Sequence, residues 1–198
     1  MDRHKRKRRG RRIFILMGLV ILVVGGFLAQ NAWIRFTHPL KYEAQILQIS
    51  KKNDLDPVMV AAVINVESKF DPKAQSHRGA KGLMQLLDDT ALWGATHMGM
   101  TGFTCDRLYD PSTNIEIGCW YLGRLNTQFN GNWKLILAAY NGGSGNVRKW
   151  LNDPLISPDG KSLTDIPFQE TEAYVEKVLK QYTVYKKLYG DRLKTQNP

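Results

Sequence analysis

Little in this chain of 198 residues points to metal or redox chemistry. It has only two cysteines, Cys105 and Cys119, and four scattered histidines, with no H-E-x-x-H or C-x-x-C spacing. Those absences exclude the usual zinc arrangements, so neither a metal site nor a cofactor is expected. Two cysteines are too few for a disulfide framework, and whether they pair with each other stays open. Clear alternating strand patterns are missing as well, so the expected fold is mainly α. Acidic side chains are scarce, with 18 Asp and Glu against 28 Lys and Arg, but the imbalance is local. Residues 1–12 alone carry +7, and the remaining 186 residues only +3. A basic tail is not a basic reading face, which argues against nucleic-acid binding.

Directly after the tail comes the longest uncharged run, I-F-I-L-M-G-L-V-I-L-V-V-G-G-F-L-A at 13–29, extendable to residue 34. A helix of that length is about the minimum that crosses a hydrocarbon core of ~30 Å. Trp33 suits an interface, and Arg12 and Arg35 bracket the span. The run is longer than a signal-peptide core and lacks an A-x-A-like cleavage site. The expected organisation is therefore a basic cytoplasmic tail (1–12), a single-pass membrane anchor (13–34) and an extracytoplasmic domain (35–198). Some 150 residues after Pro39 are enough for one domain with its own core.

Within that domain, helices are expected around Tyr42, Ile46 and Ile49, over 56–72 with the end set by Asp71–Pro72, from Thr90 to Trp93, from 110 to Phe129, and at 133–140. Residues 94–105 read as loop, as does the proline-marked stretch 152–167. A terminal amphipathic helix then carries Val175, Val178, Leu179, Tyr182 and Tyr185. Gly79 to Leu87 has room for a small hairpin.

The segment D-P-V-M-V-A-A-V-I-N-V-E-S-K-F-D-P at 56–72 holds the most informative residue. Asp56 followed by Pro57 is a helix-start signal. Val60, Val63, Ile64 and Glu67 recur at i, i+3, i+4 and i+7, so a carboxylate shares a face with three apolar side chains. Burial and the negative end of the helix dipole both raise its pKa, as a general acid requires. The plain alternative is a glutamate that emerges from the last turn into solvent.

The next residues weigh against that alternative. E-S-K-F-D-P-K-A-Q-S-H-R-G-A-K-G-L-M-Q-L (67–86), D-P-S-T-N-I-E-I-G-C-W-Y-L (110–122), A-A-Y-N-G-G (138–143) and P-F-Q-E-T-E-A-Y-V (167–175) occur in one order. Together they resemble the lytic transglycosylases of the soluble-transglycosylase-like family, related to goose-type lysozyme. The resemblance implies a lysozyme-like domain that cleaves peptidoglycan glycan strands, with Glu67 as the catalytic acid. It further implies that Gln85 offers its amide to sugar groups, with Met84 beside it in the cleft. Gly79 and Gly82 would admit close backbone approach or a tight turn. Tyr140 would hydrogen-bond Glu67, while Asn141 braces its loop or binds sugar. Glu170 and Tyr174 would line the cleft, and Ser68 is either a substrate group or a local backbone partner. Core packing is the competing role for Met84 and Tyr174.

Two departures from the family pattern matter. Ser144 stands where A-Y-N-A-G-P-G has proline, and Asp88 where Q-L-M-P-x-T has proline. Asp88 adds a carboxylate near the cleft, which keeps a hydrolytic muramidase as an alternative, since hydrolysis ordinarily uses two carboxylates. A membrane-tethered glycan-binding protein without turnover is the third reading.

Overall fold

In the computed structural model, which describes residues 3–194 and side chains from residue 14 onward, α1 (Arg3–Thr37) is one continuous helix. Met1 and Asp2 of the expected basic tail lie outside the described residues. Its Phe14–Thr37 segment, 24 residues, is long and apolar enough to cross a membrane. At ~1.5 Å per residue it measures roughly 36 Å. The helix runs past the expected end at residue 34, and the chain divides into compact units between Pro39 and Leu40.

The second unit is helical throughout: α2 (Glu43–Lys52), α3 (Pro57–Ser68), α4 (Asp88–His97), a 3₁₀ turn (Cys105–Tyr109), α5 (Pro111–Gln128), α6 (Trp133–Gly142), α7 (Ser144–Leu151) and α8 (Gln169–Lys194). No strand forms among the described residues. Two single-residue antiparallel bridges, Gln75 with Lys81 and Lys81 with Leu86, occur where a hairpin had room to form.

Helix α3 is the central element. The Asp56 carboxylate accepts a 2.8 Å hydrogen bond from the Val58 amide, and Pro57 occupies the first helical position, where no donor is needed. Every residue from Val58 to Asn65 is buried, so the one-face reading was too narrow. A helix apolar all round belongs inside a core. It packs mainly against α8, with α2 also alongside. Tyr182 of α8 ties the two together by donating to Asp56 Oδ2 at 2.9 Å. The opposite end of α3 is closed earlier than Asp71–Pro72, by two successive left-handed residues, Lys69 (φ 53) and Phe70 (φ 64). Phe70 is fully buried and stacks on Tyr185 of α8, which holds that unfavourable turn in place.

The remaining helices agree with the sequence reading, with three differences. Helix α4 extends to His97, so the loop begins later than residue 94. Helix α7 was not expected; it is eight residues long, preceded by Gly143, and buries only Val147 and Trp150. On α8 the core side includes Tyr174, Val175, Val178, Tyr185, Tyr189 and Leu193, whereas Leu179 is exposed. Helix α5 repeats the Asp-Pro start, Asp110 accepting from the Thr113 amide at 2.8 Å. Cys105 and Cys119 are both free thiols. Cys119 belongs to the core, and burial pushes its thiol up to about 12.

Candidate active site

Glu67 sits in the last turn of α3, one residue before its end. It opens onto a cavity of about 310 Å³ whose walls include Gln85, Tyr121, Tyr140, Asn141 and Glu170. Burial pushes the carboxyl up to about 7. A hydrogen bond from Tyr174 and the charge of Lys177 favour the carboxylate but do not offset that desolvation. A group poised there carries a proton in a large fraction of molecules at neutral pH and accepts it back readily.

The hydrogen bond to Glu67 corrects the expectation drawn from the A-Y-N motif. Tyr174 Oη donates to Glu67 Oε1 at 2.7 Å, whereas Tyr140 Oη donates to the Met84 carbonyl at 2.7 Å. Both phenols are held neutral, chiefly by burial and then by the Glu67 charge. Tyr140 nevertheless lines the cavity, and Tyr174 reaches the carboxyl without lining it.

The G-A-K-G-L-M-Q turn is assembled by an asparagine that sequence reasoning did not single out. Asn114, buried on α5, accepts from the Met84 amide at 2.8 Å and donates to the carbonyls of Lys81 and Leu108 at 3.0 and 2.8 Å. Its signal was present: a polar residue beside the apolar Ile115 and Ile117 of one helix. Gly82 (φ 73) lies against this asparagine; a Cβ there would stand 2.2 Å from the Leu108 carbonyl oxygen and 2.3 Å from Asn114 Nδ2. Its absence of a side chain therefore serves a tight turn. Met84 is fully buried, its thioether against Gly118 of α5, so it packs in the core and does not line the cleft. Ser68 Oγ donates to the Leu83 carbonyl at 2.8 Å, fastening the end of α3 to the same turn.

Gln85 does face the cavity, in a left-handed conformation (φ 47). Its amide nitrogen donates to the carbonyls of Ala74 and Gly82 at 3.1 and 2.9 Å, which leaves its oxygen as the group free for a ligand donor. Asn141 accepts from Thr171 at 2.8 Å, bracing α6 on α8. Glu170 is exposed and pairs with Arg78 at 3.3 Å. Asp88, the carboxylate behind the hydrolytic alternative, is held by Lys81 Nζ at 2.7 Å and does not line the Glu67 cavity.

Residues 44–158 match the family described as Transglycosylase SLT domain. The chain belongs to this family. Over 156 residues it is 35% identical to a soluble lytic murein transglycosylase of Escherichia coli K12, covering 78% of this chain and 24% of that protein. An inactive mutant of the lytic transglycosylase Slt from Pseudomonas aeruginosa superposes with a TM-score of 0.68 at 34% identity, over 77% of this chain and 25% of the other. The 70-kDa soluble lytic transglycosylase in complex with bulgecin A gives 0.71 at 30% identity, over 94% and 31%. This SLT-domain chain thus spans about a quarter of the length of the curated relatives it matches. Its fold is the mainly helical, lysozyme-like one of those neighbours.

Proposed function

We propose that this SLT-domain protein is a membrane-anchored lytic transglycosylase that acts on peptidoglycan glycan strands. The observation that carries the reading is the Glu67 carboxyl, raised to about 7 at the wall of a cavity whose other lining carboxylate, Glu170, is exposed and paired with Arg78. Glu67 protonates the oxygen of the β-1,4 bond between N-acetylmuramic acid and N-acetylglucosamine, and that bond breaks at the muramic C1. The substrate's own 2-acetamido group stabilises the oxocarbenium-like centre. Glu67, now a carboxylate, removes the proton from the muramic 6-hydroxyl as its oxygen bonds to C1, leaving a 1,6-anhydromuramoyl end. Attack from within the same sugar carries a high effective molarity, on the order of 10⁵ M or more in good geometry, so no activated water and no second carboxylate is needed.

Gln85, Tyr140, Asn141 and Glu170 are proposed as the substrate-facing set, and Ser68, Gly82, Met84 and Tyr174 as the shell that holds Glu67 and its turn. The apolar Phe14–Thr37 helix supports retention in the cytoplasmic membrane, with the arginine-rich end inside and the domain outside. Purified full-length protein should release anhydromuropeptides from peptidoglycan, read by mass spectrometry, and Glu67→Gln should abolish them. Reducing muramic ends as the main product would identify a hydrolase, and retention of the protein on sacculi without soluble product a binding protein.

A further inference from the structure

Beyond Tyr121 and Thr90, which line both spaces, the Glu67 cavity gives way to a second one of about 510 Å³. Its walls come from α4, α5 and α7 and include Trp93, Arg124, Ser144 and Arg148, with no Asp or Glu among them. The Arg124 guanidinium lies over the rings of Trp93 and Trp120, 5.3 and 5.6 Å from their centroids. Those rings meet edge to face at 4.8 Å, which makes a stiff platform under the cation. Among the described residues neither Arg124 nor Arg148 has a carboxylate partner, whereas Arg78 in the first cavity is paired with Glu170. Ser144 is the first residue of α7, whose N-terminal end adds positive potential. Where the family pattern has proline, serine also supplies an amide donor and a hydroxyl.

We infer that this second cavity is a subsite for a free carboxylate of the peptide stem carried by the glycan strand. The inference rests on the proposed function, because it takes the strand to lie across Glu67. Two N-acetylated sugars present no charge once the muramic lactyl group is amide-linked, so the anions of such a strand are those of its stems. Planar guanidinium groups match carboxylates in a two-bond geometry, and that of Arg124 already lies over two indole rings. The Trp93 ring, 40% exposed, offers apolar area to the aliphatic part of the stem.

The test uses the full-length Glu67→Gln protein in detergent micelles and calorimetric titration with a peptidoglycan tetrasaccharide. One form of the tetrasaccharide carries stems with free carboxylates, and the other carries the same stems amidated. The free-acid form should bind about tenfold tighter, in line with one charge-assisted pair. Adding Arg124→Gln and Arg148→Gln should bring that ratio close to one, and Arg124→Lys with Arg148→Lys should restore part of it. Equal affinity for the two forms in the parent protein, or a ratio that survives the glutamine pair, overturns the inference. So does equal competition by inorganic polyphosphate, which would mark a site for any polyanion. Anhydro-product formation by the Glu67 protein on the same tetrasaccharide is scored separately, so loss of the catalytic reading and loss of the subsite give different results.

Discussion

Tyr174 and Glu67 are 107 residues apart in the chain, yet the phenol of one donates to the carboxyl of the other at 2.7 Å. That contact exists because α8 packs along α3, and it acts against the desolvation that raises the Glu67 pKa. The balance between the two sets the pH range in which the acid holds its proton.

The pH dependence of kcat/KM for strand cleavage should therefore fall on the alkaline side with an apparent pKa near the value of about 7 for Glu67. Tyr174→Phe removes the hydrogen bond that favours the carboxylate, so this limb should move to higher pH. Tyr140→Phe should leave the limb in place, because that hydroxyl serves the Met84 carbonyl. Its cost should appear instead as about 1–2 kcal/mol of stability, from a buried acceptor left unpaired. A limb that shifts with Tyr140 and not with Tyr174 would reverse the two assignments.

Stability should carry the same signature. The unfolded glutamate ionises near its ordinary value of 4.5, while the folded one holds its proton up to about 7. As pH rises through that window the unfolded state is favoured, and the native state loses stability; below it the group contributes no difference. Glu67→Gln removes this penalty, so it should raise stability at pH 8 by about 1–2 kcal/mol and have little effect near pH 4. The figure is discounted from the full shift because the side chain opens onto a solvated cavity. Denaturant melts at the two pH values provide the comparison; equal effects at both would mean that Glu67 titrates as an ordinary surface acid.

The turn below the cavity, buried from Gly82 to Met84, should tolerate little change. Gly82→Ala adds a Cβ within 2.3 Å of both the Leu108 carbonyl and Asn114 Nδ2, at φ 73, and neither backbone nor a thrice-bonded amide yields easily. A loss of roughly 3 kcal/mol or more is expected, and Asn114→Ala should cost about 2–4 kcal/mol through its three lost bonds. Gly79→Ala, where the added Cβ meets nothing within 4 Å, should show only the smaller cost of its left-handed backbone. Urea melts that ranked Gly79→Ala as the more damaging change would refute this account of the turn.

Asp88→Asn separates the two glycosidase chemistries. With Asp88 bound to Lys81 and off the cavity wall, its replacement should leave the anhydro products in place and trim stability slightly. A switch in product type, or loss of all cleavage, would bring the second carboxylate back into the reaction.

The desolvated carboxyl of Glu67 was legible in the sequence because a helix periodicity, a terminal position and a family motif all converged on residue 67. Its partner was not. Tyr140 and Tyr174 are both tyrosines in recognisable motifs, and which one meets Glu67 depends on how α6 and α8 approach α3, a distance that spacing along the chain does not encode. Helix caps at Asp56 and Asp110 were readable because they act within three residues. Asn114 was overlooked because its partners Lys81 and Met84 lie 33 and 30 residues away. Helix α7 escaped notice for a local reason: with two buried side chains in eight residues, its apolar pattern is too short to register.

The unlinked thiols of Cys105 and Cys119 have a practical corollary. No disulfide ties Cys105 of the 3₁₀ turn to Cys119 of α5, so the helical unit owes its shape to noncovalent contacts. Dithiothreitol should leave its melting curve where it was, and recombinant production should not require an oxidising compartment or an isomerase.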